Sequence, residues 1–301
     1  MRRLDFLSEA NVRLDRFIAG KASDISRSQI KKLIEEGHVL VDGNKAKPSL
    51  LLKENQNIRV FIPEDEPDVI AAEEIPLDIL YEDKDIIVIN KPQGMVVHPA
   101  AGNLRGTLVN ALLSHSSSLS QINGEIRAGI VHRIDKDTSG LLLVAKNDQS
   151  HIGLAAQIKE HLVTRRYITI VHGNVKEDSG TINKPIGRHP VDRKKMCVTE
   201  NNSRHAITHY KVLQRFGRYT YLECTLETGR THQIRVHMSS MGFPILGDRV
   251  YGVKKEKFNL DGQMLHAIAL GFTHPITGEK MFFETPVPKR FEQILNFLRN
   301  V

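Results

Sequence analysis

Within nine residues, His132-Arg133-Ile134-Asp135-Lys136-Asp137-Thr138-Ser139-Gly140 gathers imidazole, guanidinium, carboxylate, ammonium and hydroxyl groups, then runs straight into Leu141-Leu142-Leu143-Val144-Ala145-Lys146. The apolar run has the length of a buried strand, bounded by Gly140 on one side and Lys146-Asn147-Asp148 on the other. Asp135 therefore lies just upstream of a rigid element, where a carboxylate can be held still for chemistry. Taken alone, an aspartate here reads as a turn or capping carboxylate. Its neighbour Asp137 precedes Thr138-Ser139-Gly140 and suits a structural role, accepting backbone hydrogen bonds in the turn. Other chemistries lack their residue patterns. Ser139 has no G-x-S-x-G around it, and neither Gly-Arg-Thr nor Thr-Ser-Gly approaches the phosphate-loop spacing. His232 and His237, five apart, fall on different faces of a helix or a strand, and no H-E-x-x-H occurs, so no metal site is expected.

The elements that must position this loop are legible on either side of it. Residues 86–89 read as a buried strand, and Asp148 or Ser150 can cap a helix whose Ile152, Ala155, Ile158 and Leu162 form its apolar face. Strands follow at 167–171, 206–213 and 219–226. Pro288 starts a closing helix with Phe291, Ile294, Leu295 and Leu298 on one side. This pattern predicts an α+β domain with a largely antiparallel mixed β-sheet over residues 77–301.

A smaller α/β unit is expected over 12–62. Ser26 and Gln29 make a capping box, Ile30, Leu33 and Ile34 form a helix face ending at Gly37, and Val39 and Val41 precede an Asp42-Gly43 hairpin turn. Ile58, Val60 and Ile62 alternate as a later strand. Between the units, residues 63–76 read PEDEPDVIAAEEIP, a proline-bounded acidic linker. With 42 Lys and Arg against 35 Asp and Glu, the net charge of +7 favours a polyanionic partner. The two cysteines, Cys197 and Cys224, lack C-x-x-C spacing and read as free thiols of a reducing compartment. No run of eighteen apolar residues occurs, so a cytoplasmic protein without membrane spans is expected.

HRIDKDTSGLLLVAK resembles the signature of the RluA/RluD family of RNA pseudouridine synthases, and RLDRFIAG with ISRSQIKKLIEEGHVLVDG resembles an S4-type RNA-binding domain. The likeness extends over nearly the whole chain, through NKPQGMVVHP, GRTHQIRVH, LHA and FTHP, and is greatest for the subgroup acting on bacterial large-subunit ribosomal RNA. It implies a pseudouridine synthase catalytic domain that isomerises uridine in structured RNA, with ribosomal RNA or a pre-ribosomal particle as partner and no cofactor. It also implies site residues. Asp135 would be the nucleophile, Arg235 its cationic partner, and Tyr167 a ring packed on uracil that could also assist C5 deprotonation. Arg133 would fill the gap left by a flipped base. Arg165 and Arg166 would serve RNA phosphates or the fold, and Arg27, Lys31 and Lys32 would face RNA from the S4 helix. For Lys91 and His98 a scaffold role is expected. Two other classes remain beside this reading: a non-catalytic RNA-binding factor, against which the Asp135, Tyr167 and Arg235 set argues, and a uracil-releasing hydrolase, which would want a second carboxylate.

Overall fold

The computed structural model describes residues 2–22, 25–62, 70–100, 102–192 and 195–300, without the Ser28 side chain, and the chain divides into two compact units, Met1–Val69 and Ile70–Val301. In the first unit, β1 (Arg2–Leu7), α1 (Leu14–Lys21), α2 (Arg27–Glu35), β2 (Val39–Val41), β3 (Asn44–Lys45) and β4 (Asn57–Ile62) follow one another. The expected signals are in place. Ser26 and Gln29 exchange both bonds of a capping box, and Gly37 (φ +83) takes the left-handed conformation just past the end of α2. Asp42 and Gly43, both at positive φ, turn β2 into β3. The sheet order is β1-β4-β2-β3, and Leu14, Ile18, Ile30, Ile34, Val39, Ile58 and Val60 are buried beneath it. Strand β1 pairs with β4 along its whole length and packs Leu4 and Phe6 on this core. The unit thus begins ahead of residue 12, where alternation over six residues was too short a signal.

The second unit contains β5 (Ile79–Glu82), β6 (Ile86–Lys91), α3 (Leu108–His115), β7 (Ser139–Ala145), α4 (Asp148–Lys159), β8 (Thr164–His172), β9 (Ser179–Asn183), β10 (Ile186–Arg188), β11 (Met196–Val198), β12 (Ser203–Arg204), β13 (Ile207–Arg215), β14 (Tyr219–Leu226), α5 (Gln233–Ser240), β15 (Leu265–Thr273), β16 (Lys280–Glu284) and α6 (Lys289–Arg299). A nine-stranded sheet runs β5-β6-β7-β15-β8-β14-β13-β9, with β16 paired to β15. Its ladders are antiparallel except the central β7–β15 junction, which is parallel. The chain is therefore α+β with a largely antiparallel mixed sheet. One apolar cluster, including Ile87, Ile89, Leu142, Val144, Ile168, Ile170 and Phe291, covers one side, and another, including Ile86, Val88, Leu141, Leu143, Leu154 and Phe272, covers the other. Burial on both faces explains why β7 reads as an unbroken apolar run. A second, three-stranded sheet joins β11, β10 and β12.

Three local expectations need correction. Helix α4 is capped by Asn147, not by Asp148 or Ser150, and buries Ser150, His151 and Leu154. Ile152 and Leu162 are exposed, and Leu162 lies beyond the helix end. The Asn147 side-chain oxygen accepts from both the Ser150 amide and hydroxyl, and the helix packs Leu154 and Ile158 on the sheet. Of the acidic linker, 63–69 lies outside the described residues, while 70–76 is fastened to the second unit. There Asn110 donates to the Ala71 carbonyl (2.7 Å), Glu73 N–H donates to the Asn110 carbonyl (3.0 Å), and Ile70 packs on the core. The Asp137 carboxylate takes none of the turn amides among the described residues; the Asp135–Thr138 turn is closed by Thr138 N–H donating to the Asp135 carbonyl (3.1 Å). No helix among the described residues is long and apolar enough to cross a membrane.

Gly140 (φ +112) lies where the parallel junction begins, and a Cβ there would meet the Ala267 carbonyl oxygen at 2.2 Å and its nitrogen at 2.6 Å. Backbone cannot yield as a side-chain tip can. The Gly140→Ala substitution is expected to cost about 1–3 kcal/mol or more, read from the denaturant midpoint at constant m-value.

Candidate active site

Asp135 stands on a turn pinned from below. The Lys91 ammonium, fully buried at the end of β6, donates to the carbonyls of Pro92 (2.8 Å), Met95 (2.8 Å) and Lys136 (3.0 Å). Gly94 N–H also donates to the Lys136 carbonyl (2.9 Å), and Gln263 donates to the Thr138 hydroxyl (3.1 Å). Burial pushes Lys91 down to about 7, against the pull of the Asp135 and Asp137 charges. His132, on the other side of Asp135, accepts from Leu143 N–H through Nε2 (3.0 Å), and burial holds it neutral by lowering it to about 3. It ties the loop to β7.

Helix α5 brings Arg235 to this carboxylate. Its first turn is fixed by Gln233, whose Oε1 accepts from the Thr228 hydroxyl (2.8 Å) and Arg230 N–H (2.9 Å) while Nε2 donates to the Ile207 carbonyl (2.8 Å) and Thr208 hydroxyl (3.0 Å). Arg235 Nη1 then donates to Asp135 Oδ2 at 2.9 Å. Its Nε and Nη2 donate to the two oxygens of buried Asp248, at 2.7 and 2.9 Å, a bidentate pair. The guanidinium lies 5.1 Å from the Tyr251 ring centroid. Burial alone would lower Arg235; the Asp248 hydrogen bonds and the Asp135 charge outweigh it and hold the group above its ordinary value. For Asp248, burial would raise the carboxyl, but Arg235 and the amides of Val250 and Tyr251 hold it below the usual range.

Asp248 and Tyr251 were missed in the sequence. Their signal was the G-D-x-x-Y-G spacing at 247–252, in which an aspartate after a turn glycine folds back on amides two and three residues ahead.

A cavity of about 400 Å³ opens onto this group, lined among others by Arg133, Asp135, Arg165, Tyr167, His232 and Arg235. Tyr167, from β8, is buried, and burial raises its phenol, which stays protonated at neutral pH. Arg133 is exposed and donates from Nη1 to His98 Nε2 at 3.4 Å. Burial and the Arg133 and Arg127 charges lower His98 to about 4, so the imidazole offers a lone pair. The structure separates the two arginines of β8. Arg165 is buried, donates to the Glu227 carbonyl (3.2 Å) and lines the cavity over Gly229, where a Cβ would meet its Nη1 at 2.5 Å. Arg166 is not brought to the cavity: it pairs with Glu223 (3.2 Å) and Glu284 and lies over the Phe282 ring. In the first unit, Arg27 pairs with Asp15 (2.7 Å), and Lys31 and Lys32 lie 3.6 and 3.7 Å from Glu35 and Glu36 in exposed pairs. The one metal-ligand grouping among the described residues, Asp83, Asp85 and His274, lies outside this cavity.

Comparison with known proteins agrees with this architecture. A family model described as RNA pseudouridylate synthase matches residues 85–240, and an S4 domain model matches 12–58. The chain is 50% identical over 287 residues to an uncharacterized RNA pseudouridine synthase, YlyB, of Bacillus subtilis, covering 95% of this chain and 94% of that one. It is 44% identical over 297 residues to ribosomal large subunit pseudouridine synthase D of Zymomonas mobilis, covering 95% and 93%. Among solved structures, human RNA pseudouridylate synthase domain containing 1 superposes with a TM-score of 0.59 at 26% identity, over 76% of this chain and 97% of that one.

Removing the Asp248 side chain leaves Arg235 buried with half its partners, so Asp248→Ala is expected to cost about 3–5 kcal/mol. Because the folded pKa of Asp248 is depressed, its contribution is complete above the unfolded value near 3.9 and is lost as pH falls through the folded value. Acid titration of stability should accordingly show a shallower fall below about pH 4 in Asp248→Asn than in the wild type.

Proposed function

The chain belongs to the RNA pseudouridylate synthase family, and from that membership we propose that it converts uridines of large-subunit ribosomal RNA to pseudouridine with Asp135 as nucleophile and no cofactor. The rRNA assignment is supported by 44% identity to the large-subunit enzyme of Zymomonas mobilis and by the S4 domain match. The observation that carries the mechanism is the 2.9 Å contact of Arg235 with Asp135 at the floor of the cavity.

The reaction conserves every atom. As Asp135 bonds to C1′, N1 leaves with the bonding pair; the freed uracil turns, C5 attacks C1′ and displaces the carboxylate, and loss of the C5 proton restores the ring while N1 gains a proton. No electron acceptor or donor is required, because substrate and product are isomers. Arg235 holds Asp135 through a short, mostly buried ion pair. Tyr167, protonated and buried, supplies an aromatic face for the uracil, and a phenol that keeps its proton is a poor acceptor for the one on C5. Asp135 itself, released in the second displacement, is then the base at hand.

The uridine reaches this floor only after leaving its stack, at a cost of a few kcal/mol. Arg133, exposed and steadied by neutral His98, has the planar head to take the vacated place. Arg165 adds a cation to the cavity wall. Lys31 and Lys32 are held only in exposed ion pairs, worth about 0–1 kcal/mol, and can exchange them for RNA phosphates, while Arg27 is half-exposed on the same helix and anchored to the buried Asp15.

Incubation with ribosomal RNA should give a C5-linked nucleoside of unchanged mass, whereas a hydrolase would release uracil. Asp135→Asn should lower single-turnover formation by about 10³ or more with RNA binding intact; a near-normal rate refutes the nucleophile assignment. Replacing Arg27, Lys31 and Lys32 together with alanine should reduce the slope of log K against log salt by roughly 2–3, and an unchanged slope removes this helix from the RNA interface.

A further inference from the structure

His232 has no part in the scheme above, yet its geometry is unusual. It is the N-cap of α5 but caps nothing with its side chain, and its backbone is left-handed at φ 58, ψ 22. A non-glycine residue in that region points to a local requirement. Here the turn delivers the imidazole into the cavity beside Asp135. Its Nε2 lies 3.9 Å from Asp135 Oδ1, the oxygen that Arg235 leaves open, and its Nδ1 lies 2.9 Å from the Tyr251 hydroxyl.

The tautomer follows from the remaining bonds. The Tyr251 hydroxyl accepts from Met196 N–H at 2.8 Å. Its own proton is then free to go to His232 Nδ1, an arrangement that puts the imidazole proton on Nε2. The opposite tautomer would set a lone pair against the carboxylate. Burial, the first of the influences on His232, keeps the ring neutral against the pull of Asp135. Arg235 touches Asp135 at one oxygen only and leaves the carboxylate able to pivot about its Cβ–Cγ bond.

We propose that Tyr251 and His232 form a positioning relay for Asp135: the Tyr251 hydroxyl fixes His232 with its proton on Nε2, and that N–H faces Oδ1 and limits rotation of the carboxylate. The relay rests on Asp135 being the nucleophile. His232 and Tyr251 act through it and are positioning residues. The gap of 3.9 Å exceeds a hydrogen bond by about 1 Å, so the N–H acts on the carboxylate as an oriented dipole across it.

The test reads both the tautomer and the rate. In protein labelled with ¹⁵N-histidine, the His232 signals, identified by their loss in His232→Asn, should show the Nε2–H form; the Nδ1–H form overturns the relay. Asparagine tolerates the left-handed backbone, and Tyr251→Phe keeps the ring under Arg235 while removing only the hydroxyl. In Tyr251→Phe the Nε2–H form should lose its dominance, and single-turnover pseudouridine formation should fall about tenfold with RNA affinity unchanged. The double variant should be no slower than His232→Asn alone, since both break one chain of contacts. Effects that multiply, or a Tyr251→Phe rate equal to wild type, overturn the relay even where Asp135→Asn is inactive. An active Asp135→Asn enzyme instead overturns the nucleophile reading, and the tautomer then judges the Tyr251–His232 contact by itself.

Discussion

One guanidinium held between two carboxylates organises the second unit. Asp248 grips Arg235 through two hydrogen bonds in near-complete burial, and Asp135 receives an N–H of Nη1. A lone ion in that place would cost several kcal/mol, and a simple pair would leave no residual charge facing the cavity. Two acids share one base, and of the two Asp135 is the one that lines the cavity. The structural ion pair and the proposed nucleophile thus belong to one cluster, with Asp248 satisfying the burial and Asp135 keeping its second oxygen free of Arg235.

Every surrounding element serves to keep that triad from relaxing. Lys91 gathers three carbonyls under the Asp135 turn, His132 ties the loop to β7, and Gln233 locks the first turn of α5 with four bonds. These supports come from segments far apart in the chain, and each uses a polar side chain bonded to backbone, joined for Gln233 by two threonine hydroxyls. The displacement proposed above needs such rigidity, since an attacking oxygen must keep its distance and direction.

Much of this was legible in the sequence wherever the signal was local. The Ser26 capping box, the Asp42-Gly43 turn, the apolar β7 run and the α6 stripe each depend on neighbours within a few residues, and they stand as expected. The motif around Asp135 and the one around Arg235 named both ends of the 2.9 Å contact, because each motif carries its own recognisable spacing. What failed depended on tertiary context. Helix α4 meets the sheet through Leu154 and Ile158 and leaves Ile152 exposed, β1 needed β4 to be a strand, and Arg165 and Arg166 went to different environments because adjacent residues of a strand face opposite ways. Asp248 escaped notice because only the fold shows that its carboxylate faces an arginine thirteen residues earlier.

The parallel junction at the centre of the large sheet has a temporal consequence. Ser139 pairs with His266 and Gly140 with Ala267, so β7 acquires a neighbour on that side only after more than a hundred further residues have been made. During synthesis the first unit, whose strands pair within its own 62 residues, can close early, while the floor of the cavity waits for β15. A nascent chain can therefore complete its S4 unit well before the strands around Asp135 are all in place.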